Sequence, residues 1–388
     1  MDFQLTEQQI AIDEGVRKVC AGFDDAYWTE CEEKARFPHE YYQAMAEGGW
    51  LGITMPEELG GSGLGVSDAA VMMHAATSSN GGYSAASAIH INMFGPHAIV
   101  VHGTPEQKAR WLVPLIKGEQ KACFGVTEPD AGLDTTSIKT FAARTNAGYR
   151  VKGRKMWTST GQVADKILLL TRTTPKKECK RPTDGMTLFY TDLDRTKVEV
   201  RRIHKMGRNA VDSNAVFIDD LFVPDEDRIG EEGQGFKYIL DSLNPERILV
   251  ASEAIGVGRD ALRRAATYAR ERVVFGRPIG QNQGIQHPLA ESWTYLESAY
   301  WMVLRAGWLY DNGRPCGAEA NAAKFLAGRA AFDAATRAVM THGGMGYARE
   351  YQVERLFRES ILTRIAPVTE QLILSFLAER VLDLPKSY

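Results

Sequence analysis

Phe124-Gly125-Val126-Thr127-Glu128-Pro129-Asp130-Ala131-Gly132-Leu133-Asp134, followed downstream by Lys155-Met156-Trp157-Thr158-Ser159, is the pair of segments on which the reading of this 388-residue chain turns. The first is a short apolar strand that breaks into a turn. Thr127 and the amides around Gly132 can offer hydrogen bonds there, and Pro129 with Gly132 keeps the turn open. The second alternates polar and apolar residues before a tryptophan, which suits a strand whose indole covers a flat ring. Together they make a wall with hydrogen bonds along one edge and an aromatic lid.

On either side of this wall the texture of the sequence changes. Upstream, residues 1–120 read as helical. Leu5, Gln8, Gln9, Ile12, Val16 and Val19 follow helical spacing, and Thr6 with Gln9 predicts a capping box. Glu58 to Gly65 is glycine-rich and reads as loop. From 121 to 228, period-two segments appear at Tyr149 to Met156, Lys166 to Thr171, Met186 to Asp192, Val198 to Ile203 and Asn214 to Val223. Short strands broken by Gly, Pro, Asn and Asp predict an antiparallel barrel or sandwich, with Thr173 to Asp184 as a protruding hairpin loop. From 229 to 388 helices return at Ile248 to Arg272, Leu289 to Asp311, Ala318 to His342 and Thr369 to Leu382. Their breaks carry Gly or Pro, the outline of an up-and-down four-helix bundle. The expected fold is therefore mainly α with a central β domain. It has an N-terminal helical domain (1–120), a middle β-barrel (121–228) and a C-terminal four-helix bundle (229–388).

Composition narrows the function. Hydrophobic residues make up 44% and charged residues 24%, as in soluble globular chains. A net charge of −3 gives no electrostatic reason for nucleic acid or an anionic membrane as partner. No apolar run approaches the roughly 20 residues needed to span a bilayer. The segment Met1 to Glu7 carries acids where a presequence carries Arg or Lys, so a cytoplasmic location is expected. Five cysteines without a C-x-x-C spacing read as free thiols. Neither Gly256-Val257-Gly258 nor Gly343-Gly344-Met345-Gly346 completes G-x-G-x-x-G after a strand, and His39-Glu40 lacks the second histidine of a zinc-binding helix. No metal site is expected.

The two quoted segments resemble the flavin site of the acyl-CoA dehydrogenases, and the resemblance covers almost the whole chain. Arg272-Val273-Val274-Phe275-Gly276 and Asn282-Gln283 match the family's R-x-x-F-G and Q segments. Gly343-Gly344 matches its glycine pair, and Thr369 and Gln371 match the T-x-Q of the last helix. The resemblance implies an FAD site formed by Phe124, Val126, Thr127, Gly132, Trp157, Ser159, Thr369 and Gln371. Arg272, Phe275 and Gln283 would reach the flavin of a neighbouring subunit, Arg272 on the pyrophosphate, and at Gly343 and Gly344 bare backbone would approach the cofactor. A homotetramer is implied. So is dehydrogenation of an acyl-CoA to a trans-2-enoyl-CoA, with electrons passed to an electron-transferring flavoprotein. A flavin oxidase or reductase on CoA thioesters, or a non-catalytic homologue that binds them, would share these residues.

The family's chemistry needs a carboxylate whose basicity rises in a desolvated pocket, and hydrogen bonds at the thioester oxygen. Many members carry the base in a C-terminal E-G-T-x-Q segment. Here that segment is Pro367-Val368-Thr369-Glu370-Gln371, and Pro367 has neither a carboxylate nor an amide N–H. Glu370 reads as a first-turn acid complementing its helix dipole. The isovaleryl and long-chain branches hold their glutamate on an earlier helix, just before an arginine. Here this is Asn244-Pro245-Glu246-Arg247, with Asn244 as helix cap, Pro245 at the first helical position and Glu246 in the first turn. The resemblance makes Glu246 the base and places Asn244 and Arg247 at the thioester and its pantetheine arm. Asp130, Leu133 and Met340 depart from the family's usual Gly, Ser and Gln.

Overall fold

The computed structural model describes residues 4–387. Helices come first: α1 (Glu7–Cys20), α2 (Asp25–Glu33), α3 (His39–Glu47), α4 (Val66–Thr77), α5 (Gly82–Phe94), α6 (His97–His102) and α7 (Pro105–Ile116). The capping box at α1 forms as expected, with Thr6 and Gln9 exchanging side-chain-to-backbone bonds at 3.2 Å. Strands follow: β1 (Ala122–Gly125), β2 (Phe141–Thr145), β3 (Gly148–Ser159), β4 (Lys166–Arg172), β5 (Met186–Asp192), β6 (Val198–Arg202), β7 (Ser213–Pro224) and β8 (Arg228–Ile229). The last third holds α8 (Gly235–Glu271), a small hairpin of β9 (Val273–Val274) and β10 (Arg277–Pro278), and then α9 (Gln283–Asp311), α10 (Gly317–His342), α11 (Val353–Ser360), α12 (Leu362–Ile365) and α13 (Glu370–Arg380).

The sheet runs β6-β7-β3-β2-β4-β5-β8, with β1 also paired to β4. It curls around Tyr149, Val151, Leu169, Phe189 and Val216, which fill its inside. Its other face, at Leu168, Leu170, Leu188 and Tyr190, packs against Trp111 and Leu115 of α7. The expectation of an all-antiparallel arrangement is corrected at two places. Both β1 and β2 lie parallel to β4, because neither is joined to β4 by a hairpin: other strands intervene in the chain, and the hairpin that β2 makes is with β3. The loop after β4 is the expected hairpin connection to β5. All five cysteines are free.

The start of α8 is also corrected. The sequence places a helix start at Asn244, but the helix begins at Gly235 and runs through Pro245. Pro245 forfeits one ladder bond. The preceding turns persist because Tyr238 and Ile239 are buried against Leu188 and Ile229 of the sheet. Tertiary packing thus overrides a local break signal. Glu246 consequently sits inside a 37-residue helix, not in a first turn. In the bundle, α8, α9 and α10 pack together, with α11 and α13 laid against α10. The stretch Val353–Arg380 contains a window apolar enough by composition to cross a bilayer, against the sequence expectation. It is divided here among α11, α12 and α13.

The largest core joins the first and last helical regions. Met72, Met73 and Ile89 share one cluster with Ile255, Val257, Leu296 and Ala331. Gly256-Val257-Gly258 belongs to this packing. A Cβ at Gly256 would stand 2.0 Å from Thr77 Oγ1 and 2.7 Å from the His74 carbonyl, and one at Gly258 3.0 Å from Ala331 Cα. Gly256→Ala should therefore destabilise by about 3 kcal/mol through overpacking against the α4 backbone. A melting temperature within a degree of wild type would contradict that packing account.

Candidate active site

The two segments quoted at the outset lie side by side. Met156 N–H donates to the Thr127 carbonyl at 2.8 Å. Behind them, Lys155 is fully buried, and its Nζ donates to the Val126 carbonyl at 3.1 Å and to Glu128 Oε1 at 2.9 Å. Glu128 is buried as well and accepts from the amides of Lys139 (2.7 Å) and Thr140 (2.9 Å). Burial pushes the Glu128 carboxyl up, but the Lys155 charge and these bonds outweigh it and hold the group below the usual range. Burial lowers the Lys155 ammonium to about 8, partly offset by Glu128. A buried ion pair thus clamps the turn at Val126 to Glu128 onto β3.

Trp157 departs from the expected regular strand. The β3–β7 register shifts between Lys155 and Thr158, and Trp157 has φ +62°. This bulge turns the indole outward, where it is 57% exposed. Ser159 ends β3 and its Oγ accepts from Arg208 at 3.2 Å. Phe124, Val126 and Thr127 are half-buried along the wall, and Gly132 is exposed, with no atom within 4 Å of where a Cβ would stand.

A second group of expected cofactor residues lies elsewhere on the surface. Arg272 caps the end of α8, and Phe275, at φ +50° on the β9–β10 turn, is wholly exposed. Gln283 opens α9 and is exposed. Gly343 (φ +60°) and Gly344 follow α10 and face open space, again with no atom within 4 Å of a Cβ. Among the described residues no hydrogen bond or ion pair joins this group to Val126, Thr127, Gly132, Trp157 or Ser159 within one chain. Thr369 is the N-cap of α13, its Oγ1 accepting from Leu372 N–H at 3.3 Å, and Gln371 is exposed. Bare glycine backbone leaves room for a large ligand at Gly132 and, separately, at Gly343 and Gly344, and the exposed Trp157 ring offers a flat face beside the first. These features fit an FAD.

Glu246 retains partial exposure to solvent. Burial pushes its carboxyl up to about 7, against the charges of His90, Arg247 and Lys324 and with that of Glu253. Asn244 is not a helix cap. Its Oδ1 accepts from Arg247 Nη1 at 3.2 Å, and the buried Arg247 Nε has no hydrogen-bond partner. Glu370 behaves as expected for a structural acid. Burial raises it, but bonds from Arg364 (2.6 and 3.1 Å) and Arg329 (3.3 Å) hold it below the carboxylate range. Lys324, buried and lowered to about 8 by desolvation, donates to the Val368 carbonyl and fixes the loop that carries Pro367.

Four members of the site, His90, Glu253, Arg208 and Lys324, were not legible in the sequence. His90 Nδ1 pairs with Glu253 Oε1 at 2.6 Å, both buried. Burial would lower His90, but the Glu253 charge and bond and the Glu246 charge prevail and raise it. Glu253 stands seven residues after Glu246, on the same face of α8. That spacing is a usable signal once α8 is known to be continuous. Arg208 and Lys324 carry no such signal, because the contacts that bring them to the site, with Ser87, Ser159 and Val368, lie far away in sequence.

Comparison with known proteins decides the family. The chain matches the acyl-CoA dehydrogenase N-terminal domain over residues 6–119, the middle domain over 123–221 and the C-terminal domain over 233–382. The chain belongs to the acyl-CoA dehydrogenase family. It is similar to the acyl-CoA dehydrogenase fadE12 of Mycobacterium bovis, with 33% identity over 100% of this chain and 99% of that one. It is also similar to a short-chain specific acyl-CoA dehydrogenase of Clostridium acetobutylicum, with 32% identity over 96% and 97% of the two chains. The solved butyryl-CoA dehydrogenase of Megasphaera elsdenii superposes with a TM-score of 0.93 at 29% identity, covering 98% of this chain and 100% of that one. This acyl-CoA dehydrogenase family member is an FAD-dependent oxidoreductase.

Proposed function

We propose that Glu246 is the base that removes the proton next to the thioester in this acyl-CoA dehydrogenase. The observation that carries the reading is its carboxyl, pushed up to about 7 by burial and set beside Arg247. FAD, when bound, would supply the hydride acceptor. Val126, Thr127, Trp157 and Ser159 would hold that ring, with Phe124 and Gly132 beside it and Thr369 and Gln371 beyond. Arg247, with its unpartnered Nε and its bond to Asn244, would hold the thioester and its pantetheine arm. A desolvated carboxylate has a raised proton affinity, which matches it to a weakly acidic carbon.

Arg272, Phe275, Gln283, Gly343 and Gly344 are assigned to the cofactor of a neighbouring subunit in a homotetramer. Support comes from the apolar surface around them. Val273 (56%), Phe275 (101%), Met340 (75%) and Tyr347 (89%) are exposed, more than a lone subunit ordinarily leaves wet. The electron acceptor is assigned as an electron-transferring flavoprotein, and the location as the cytoplasm.

Flavin bleaching by acyl-CoA tests the chemistry. The free Glu246 must be ionised to accept a proton, so the bleaching rate should be low at acid pH and rise to a plateau with a midpoint near 7. A flat profile from pH 5 to 9 would remove Glu246 as the titrating base. Reoxidation by an electron-transferring flavoprotein without peroxide release should accompany it. Peroxide in place of that transfer would make the enzyme an oxidase. Sedimentation at a single-subunit mass with full flavin content would overturn the shared cofactor site.

A further inference from the structure

A guanidinium stands against Ser159, at the edge of the proposed flavin wall. It belongs to Arg208, which comes from the loop before β7 on a backbone at φ +59°. Lys205 Nζ donates to the carbonyls of Arg208 and Val211 and fixes that loop. The Arg208 guanidinium donates to three hydroxyls: Ser87 at 2.8 Å, Ser213 at 3.0 Å and Ser159 at 3.2 Å. No carboxylate lies within 4.0 Å of it among the described residues. The four acids whose charge it does feel are all engaged elsewhere. Glu253 is held by His90, Glu359 by Tyr83 N–H and Arg355, Asp212 by Gln162 N–H and Asn214, and Glu32 by Asn209.

Hydroxyls satisfy the donors of a guanidinium but do not neutralise it. A half-buried cation left in that state is poised for an anion. Its position says which anion. Ser159 belongs to the proposed flavin wall. Ser87 lies on α5, one turn before His90, and His90 bonds Glu253, two turns after Glu246 on α8, so one face of α5 links Arg208 to the neighbourhood of Glu246. If the reacting carbons lie between Ser159 and Glu246, the far part of the acyl group runs along this face of α5 toward Arg208.

We propose that Arg208, with Ser87 beside it, receives a carboxylate at the far end of the acyl group, so that the substrates are CoA thioesters of dicarboxylic acids. Arginine suits this because its donor fork matches a carboxylate in two bonds. The inference rests on the reading of Glu246 and the flavin wall, and names the acyl class for that site.

The test pairs thioesters of equal chain length with and without the acid: glutaryl-CoA against pentanoyl-CoA, and succinyl-CoA against butyryl-CoA. The holoenzyme should favour the acid of each pair by about 10- to 100-fold in kcat/KM, the range of charge-assisted hydrogen bonds. Arg208→Gln should erase the preference by weakening the acid partner far more than the plain one. Arg208→Lys should restore part of it, since it keeps the charge but loses the fork. Binding is read separately in Glu246→Gln from the perturbed flavin spectrum, where the acids should again bind more tightly. Tighter binding or faster bleaching by the plain thioesters, or an equal loss for both in Arg208→Gln, overturns the subsite and leaves Arg208 as a brace for Ser159. Undiminished bleaching in Glu246→Gln would instead sink the base assignment, with the pairwise preference still readable.

Discussion

Glu246→Gln should abolish turnover and yet yield a more stable protein at neutral pH. A general base contributes on the order of 10²- to 10⁴-fold, so bleaching by substrate should fall by about that factor while flavin binding is kept. The stability gain follows from the same burial that makes the group basic. Glu246 titrates near 4.5 when unfolded and near 7 when folded. Below 4.5 both states hold the proton, and the group adds no penalty. Between about 4.5 and 7 the folded state retains a proton that the unfolded state has lost, so stability drops as pH rises. Above 7 the full cost stands, roughly 3 kcal/mol from the size of the shift. Glutamine removes that cost, so the melting difference between variant and wild type should be small at pH 4.5 and widen up to pH 8. Thermal melts across that interval read it directly. A variant that is inactive but less stable at pH 8 would mean that the carboxylate is stabilised where it sits, which contradicts a desolvated base.

Lys155→Met should cost both the fold and the cofactor. The substitution leaves the Glu128 carboxylate buried with only the Lys139 and Thr140 amides to hold it. Removing one partner of such a pair costs about 3–5 kcal/mol. It also frees the Val126 carbonyl and the turn that Lys155 ties to β3. The purified variant should emerge from gel filtration largely colourless, with a melting temperature several degrees down. Adding Glu128→Gln should recover part of the stability, because the stranded charge is gone, and the two substitutions should therefore be strongly non-additive. A yellow Lys155→Met protein that melts like wild type would show that the turn holds its shape without the clamp.

The order of helices, strands, helices was legible because hydrophobic periodicity changes at about 121 and again after 228. Met186 to Asp192 was read with the bounds that β5 has. Local signals also gave the α1 cap, and the family resemblance gave the side-by-side placement of the two wall segments. Four features were lost for physical reasons. Pro245 imitates a helix start, and only the burial of Tyr238 and Ile239 on the sheet tells otherwise. The parallel pairings of β1 and β2 with β4 skip over intervening strands, and no turn motif announces them. The Trp157 bulge is invisible in a pattern that alternates correctly. His90, Arg208 and Lys324 reach the site only through contacts made at long range.

One further consequence lies in how the main core is assembled. Met72 and Ile89 come from the first third of the chain, and Ile255, Leu296 and Ala331 from the last. During synthesis the early helices leave the ribosome with their apolar faces unpaired until residues beyond 250 have followed. At cellular elongation rates that wait is on the order of ten seconds. Through it the nascent chain exposes the surface most prone to aggregate, so the yield of soluble enzyme should depend on chaperone capacity more than on the stability of the finished molecule.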